Sequence, residues 1–156
     1  MKITLLLVGK TLKGWVKDGL DIYAGRLGHY VGFNIVEIPE LKNVSAYTRE
    51  QIKQKEGELI LKSLKKDDNV ILLDERGVQE SSMDWASRLQ GEMSKGRNMV
   101  YVVGGAYGFS KDVYDRADGK MSLSRMTFSH QMVRVIFAEQ LYRAFTILGG
   151  EPYHHE

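Results

Sequence analysis

The sequence predicts an α/β domain with a largely parallel sheet, and two observations carry that expectation. Five short apolar runs alternate with five longer segments of helical periodicity, the pattern of strands joined by crossover helices. Two of the runs, residues 70–73 and 99–103, are apolar at consecutive positions, as strands covered on both faces should be. Taken in order, the first strand covers residues 3–8 and stops at Gly9, and a helix follows over 12–26. The second strand spans 33–38 and is closed by Pro39. The second helix covers 46–65 with Ser45 as its N-cap. Strand 70–73, helix 83–95 and strand 99–103 come next. A short helix over 111–117 is capped by Ser110, and a weaker strand covers 121–123. The last helix spans 131–148 and has Gly149 where a C-cap belongs.

Composition narrows the function classes. A chain of 156 residues is expected to form one domain, residues 1–156, without a Pro/Ser linker or repeat. A domain of this size buries about 68–70% of its unfolded surface and needs no staples. The absence of Cys excludes disulfide frameworks, Cys-ligated zinc, iron–sulfur sites and thiol nucleophiles. The 43% apolar content and 10% aromatic content argue against disorder. No apolar run approaches the roughly 20 residues of a membrane span, and no secretory signal pattern opens the chain. A soluble, cytoplasmic protein with no membrane partner is the expectation. The 22 basic and 20 acidic residues leave a net charge of +2. Residues 1–66 carry net +5, residues 67–94 net −5 and residues 95–156 net +2. A basic surplus at both ends suits a polyanion, but on charge alone ordinary solvated helix faces are the better account.

Ligands of open α/β sheets bind beyond the carboxyl ends of the strands. Two such ends stand out, Leu73-Asp74-Glu75 and Val103-Gly104-Gly105. Gly104-Gly105-Ala106-Tyr107-Gly108 is neither a dinucleotide fingerprint nor a Walker A loop. It reads as a ligand loop or as a tight turn between strand and helix. The segment Leu123-Ser124-Arg125-Met126-Thr127-Phe128-Ser129-His130 offers backbone polar groups and apolar side chains, which suit an adenine ring. An ordinary connection with buried Met126 and Phe128 has the same composition.

In the last helix, 12 of the 17 residues from Met132 to Leu148 are apolar or Tyr. That exceeds one sheet contact and points to a central helix or a subunit interface. Glu139 and Arg143 form an i,i+4 pair. Arg134 falls nearly opposite them, among Val133, Val135 and Phe137, in a first turn where the dipole disfavours a cation. It reads either as an anion-binding residue or as a side chain that snorkels to solvent. The tail Glu151-Pro152-Tyr153-His154-His155-Glu156 carries groups able to handle protons. No metal-ligand spacing is present, so no metal is expected.

These residues together resemble a known family. Gly104-Gly105-x-x-Gly108, Leu123 to Phe128, His130, Val133-Arg134-Val135, Glu139 to Ala144 and Pro152-Tyr153-His154 are similar to the ribosomal RNA large subunit methyltransferase H family. Met1-Lys2-Ile3, Val8-Gly9-Lys10 and Lys55-Glu56-Gly57 match too, so the resemblance spans the chain. It implies a SPOUT-type α/β fold with a C-terminal trefoil knot, an exception to the rule against threaded loops. It also implies a homodimer that methylates N3 of pseudouridine 1915 in 23S rRNA of the assembled ribosome, with S-adenosyl-L-methionine as donor. The family's cofactor positions fall on Leu73, Gly104 and Leu123, Ser124, Arg125, Met126, Thr127 and Phe128. For catalysis the expectation is His154 as proton acceptor or relay, Tyr153 in base positioning, and Arg134 on the developing anion or a phosphate. His155 stands where relatives often carry Arg or Lys, so an RNA contact there requires its protonation. The competing reading is a non-catalytic ribosome- or nucleotide-binding module on the same fold.

Overall fold

The structure is a computed structural model and describes residues 1–155. Strands β1 (Lys2–Val8), β2 (Gly32–Ile38), β3 (Asn69–Gln79), β4 (Met99–Val103) and β5 (Gly119–Ser122) form one sheet. Its order is β2-β1-β4-β3-β5, and every pairing is parallel. The helices are α1 (Trp15–Leu27), α2 (Arg49–Lys62), α3 (Ser82–Ser94), α4 (Lys111–Arg116) and α5 (Met132–Leu148).

Side-chain alternation along the central strands builds two cores. Ile3, Leu5, Leu7, Met99, Tyr101 and Val103 pack with Leu20, Trp85, Leu89, Phe137 and Leu141, so α1, α3 and α5 cover one face. Leu6, Val8, Val70, Leu72, Val100 and Val102 pack with Ile60, Phe109 and Val113, so α2 and α4 cover the other. The consecutive apolar residues of β4 are all buried, as a strand with two covered faces requires.

Three departures from the sequence expectation have a local physical cause. Helix α1 begins at Trp15 and not at Leu12, because Gly14 takes φ +114° and interrupts the helix. Ser45 does not cap α2, since it lies in a 3-10 turn, Val44–Ala46. Thr48 is the cap: its Oγ1 accepts the Gln51 N–H at 3.1 Å, and Gln51 Oε1 accepts the Thr48 N–H at 2.9 Å. Thr48→Ala is therefore expected to lower stability by about 1 kcal/mol in urea unfolding.

The third difference is β3, which runs on to Gln79 through polar residues. Its pairing with β5 jumps register between Leu73 and Val78. The slack residues form a bulge that carries Asp74, Glu75 and Arg76 at the carboxyl edge of the sheet. Gly77 makes this possible, because a Cβ there would sit 2.6 Å from the Met121 backbone nitrogen.

Candidate functional site

A cavity of about 800 Å³ opens where the sheet's carboxyl edge meets the start of α5. Leu73 and Val103, at or near the ends of their apolar strand runs, wall it together with Met121 and Leu123. Gly104 to Phe109 form one side, the loop after β5 another, and Arg49 and Lys53 reach in from α2. His130 and Val133 close it at the head of α5.

The loop after β5 belongs to no helix or strand, and side-chain bonds give it its shape. Ser122 Oγ donates to the Ser124 carbonyl at 2.8 Å, and the Met126 N–H donates to Ser124 Oγ at 3.0 Å. Thr127 Oγ1 donates to Glu75 Oε2 at 2.6 Å, which ties the loop to the β3 bulge. The Met132 N–H donates to Ser129 Oγ at 3.1 Å and satisfies one donor at the start of α5.

The glycines work by making room. A Cβ on Gly104 would lie 3.0 Å from the ring of Phe109. One on Gly105 would lie 2.6 Å from Glu56 Oε1. Gly108, at φ +82°, takes the left-handed turn that leads into Phe109. Glu56 is held behind this loop, and burial first, then the charge of Glu40, pushes its carboxyl above the usual carboxylate range.

Asp74 behaves in the opposite way. Burial acts upward on its carboxyl, but hydrogen bonds from the Tyr114 hydroxyl and the Arg76 N–H, with the charges of Arg76 and Lys120, outweigh it. Asp74 is thus held ionised at the cavity wall, with Glu75 beside it.

Arg134 does not play the expected role. It is 0% exposed and is absent from the cavity lining, so it neither snorkels nor meets an external anion. Its Nε donates to the His130 carbonyl at 2.9 Å and its Nη2 to the Val8 carbonyl at 3.0 Å. Its Nη1 serves the Gly9 carbonyl at 3.0 Å and Thr11 Oγ1 at 2.9 Å. Glu37 Oε2 is 3.7 Å away. Arg134 therefore ties the end of β1 to the start of α5, and burial lowers its pKa while Glu37 and Glu40 oppose that shift.

Among the other expected site residues, Leu73, Gly104, Leu123, Ser124, Met126, Thr127 and Phe128 all line the one cavity. Arg125 is exposed on the same loop but lies outside the lining. Tyr153 and His154 lie elsewhere. The Tyr153 hydroxyl donates to Glu139 Oε1 at 3.1 Å. Arg143 donates to the same oxygen through Nε at 3.1 Å and Nη2 at 2.5 Å, and through Nη1 to His154 Nδ1 at 3.1 Å. Arg143 also sits 4.8 Å over the Tyr153 ring, and Tyr142 meets that ring edge-on. Burial, with bonds to Tyr23 and Glu139, raises the Tyr153 pKa. Glu139 and Arg143 lie six and ten positions beyond Val133, so this cluster runs from about 9 to about 15 Å along α5 from the cavity edge.

Glu56 stood in the matching run Lys55-Glu56-Gly57 but was given no role there, and Tyr114 was not named at all. A signal for Glu56 existed in Gly57, an isolated glycine inside α2. Gly57 admits Ser110, the N-cap of α4, against the helix. Tyr114 carried no such mark, because its partner Asp74 is 40 residues away. Among the described residues no group of three His, Cys, Asp or Glu is placed to hold a metal ion. No helix of the described residues is long and apolar enough to cross a membrane.

Comparison with known proteins fits this geometry. A family profile described as "Predicted SPOUT methyltransferase" matches residues 1–154. A protein of Parabacteroides distasonis named ribosomal RNA large subunit methyltransferase H is 51% identical over 157 residues, covering 100% of both chains. Proteins of the same name from Christiangramia forsetii and Flavobacterium johnsoniae are 52% and 50% identical, over 99% and 100% of both chains.

Proposed function

The chain belongs to the SPOUT methyltransferase family, alongside the ribosomal RNA large subunit methyltransferase H proteins, and from that premise we propose the reaction it performs. It is an rRNA methyltransferase that uses S-adenosyl-L-methionine to methylate N3 of pseudouridine 1915 in 23S rRNA. It acts in the cytoplasm on the assembled ribosome, as a homodimer whose C-terminal half carries the SPOUT knot. The observation that carries this reading is the single cavity formed by Leu73, Gly104 and the loop 123–129 in a chain half identical to enzymes of that name.

The residues present fit the donor. Leu73, Val103, Met121 and Leu123 offer an apolar slot for a purine, with loop backbone at its edge. The ionised Asp74 and the neighbouring Glu75 complement the positive charges of a sulfonium and an ammonium. S-adenosyl-L-methionine, when bound, supplies a methyl group already activated on its sulfonium. The protein's share is to hold the reacting nitrogen in line with that methyl and to manage the nitrogen's proton.

Within one chain the residues that hold Tyr153 and His154, namely Glu139 and Arg143, lie about 9 and 15 Å along α5 from the cavity edge at Val133. This supports a site completed by the tail of a second subunit. The exposed apolar side chains Leu12, Trp15 and Ile22, around α1, support an apolar subunit contact; Trp15 is 66% exposed. RNA contacts fall to lysines and arginines around the cavity mouth, such as Arg49, Lys53 and Arg76.

Calorimetric titration with S-adenosyl-L-methionine tests the cavity directly, and absence of binding with and without ribosomes contradicts the reading. Thr127→Val removes the bond to Glu75 and frees the loop. It is expected to weaken donor binding by roughly 2- to 12-fold, the equivalent of a lost bond of about 0.5–1.5 kcal/mol. Unchanged affinity would show that the loop keeps its shape without that bond.

A further inference from the structure

We propose that Arg143 is a positioning residue that locks His154 in the tautomer carrying its proton on Nε2, so that His154 serves methyl transfer as a hydrogen-bond donor and not as the proton acceptor. This rests on the methyltransferase reading above. A guanidinium has five N–H donors and no acceptor. Its Nη1 lies 3.1 Å from His154 Nδ1, so Nδ1 must be the accepting nitrogen. A neutral imidazole has one accepting nitrogen, and the proton is therefore on Nε2.

Arg143 is not free to turn away. Glu139 Oε1 binds its Nε and Nη2, and Tyr153 lies against its plane. Glu139 is fixed in turn, because Gln140 Nε2 donates to its Oε2 at 2.9 Å. Ser82 Oγ, on α3, donates to Gln140 Oε1 at 2.9 Å. A ladder of five hydrogen bonds thus runs from α3 through Gln140, Glu139 and Arg143 to His154.

In the reaction the imide N3–H gives its proton to water. The negative charge spreads onto the ring carbonyl oxygens, and the Nε2–H of His154 donates to one of them. The N3 electron pair then bonds the methyl carbon, and the carbon–sulfur pair stays on sulfur, which becomes a neutral thioether.

Two measurements on the full-length protein test this. Two-bond proton–nitrogen correlation spectra of histidine-labelled protein are expected to show His154 with a protonated Nε2 and a bare Nδ1. Arg143→Met is expected to replace that pattern with mixed tautomers. A wild-type His154 protonated on Nδ1 overturns the proposal. In ribosome assays His154→Gln, whose amide nitrogen donates from the Nε2 position but accepts no proton, is expected to lose about tenfold in kcat. His154→Ala is expected to lose about a hundredfold or more. Glutamine as inactive as alanine, with donor and ribosome binding intact, overturns the donor role. An inactive wild-type protein overturns the methyltransferase reading and with it the catalytic role, whereas the spectra decide the tautomer without any turnover.

Discussion

A chain cut after Pro152 is expected to bind S-adenosyl-L-methionine with unchanged affinity and to transfer methyl at least about a hundredfold more slowly. The cut removes Tyr153 and His154 and leaves the cavity whole, because its lining lies between Arg49 and Val133. The end of α5 stays anchored, since Glu151 remains and its Oε1 accepts the Tyr30 hydroxyl at 2.6 Å. The lost Tyr153 contacts with Glu139 and Tyr142 cost about 1–2 kcal/mol of stability, too little to unfold a domain of this size. Calorimetry for the donor and a ribosome assay for turnover separate the two outcomes. Full turnover in the cut chain would remove the tail from the mechanism.

Arg134→Met is expected to destabilise the fold by about 3–5 kcal/mol, because it takes a charged donor from three backbone carbonyls at roughly 1–3 kcal/mol each. Methionine fills much of the volume but leaves the Val8, Gly9 and His130 carbonyls without this donor. Arg134→Lys does not restore them, because a single ammonium cannot reproduce a planar fork aimed at three carbonyls. His130 also lines the cavity, so the surviving folded fraction is expected to bind the donor more weakly. Urea unfolding measures the effect, and a loss below about 1 kcal/mol would mean that the cluster is solvated in solution.

What could be read from the sequence depended on whether a signal was local. Strand β4 was readable to the residue, since five consecutive apolar positions ending at Gly104 admit few alternatives. The polar continuation of β3 was not, because it exists only through pairing with β5 beyond a bulge. Ser45 and Thr48 both have N-cap chemistry, and the 3-10 turn that takes up Ser45 leaves Thr48 as the cap. Arg134 was recognisable as misplaced on its helix face. Its partners could not be named, since Val8 and Gly9 lie 126 and 125 residues upstream. That the apolar runs ending at Leu73 and Val103 point at the site followed from the geometry of open α/β sheets. That the loop 123–129 meets them came from the family resemblance, and it has no periodicity of its own. The tail's position near the far end of α5, away from that cavity, had no sequence signature.

One measurement tests the central claim most directly. Ribosomes from a strain lacking the gene are incubated with the purified protein and S-adenosyl-L-methionine, and the 23S rRNA is analysed by mass. The fragment holding pseudouridine 1915 is expected to gain the mass of one methyl group, on N3, and no other fragment is expected to change. Bound donor and bound ribosome with no gain in mass would contradict it and leave a binding module on a methyltransferase fold.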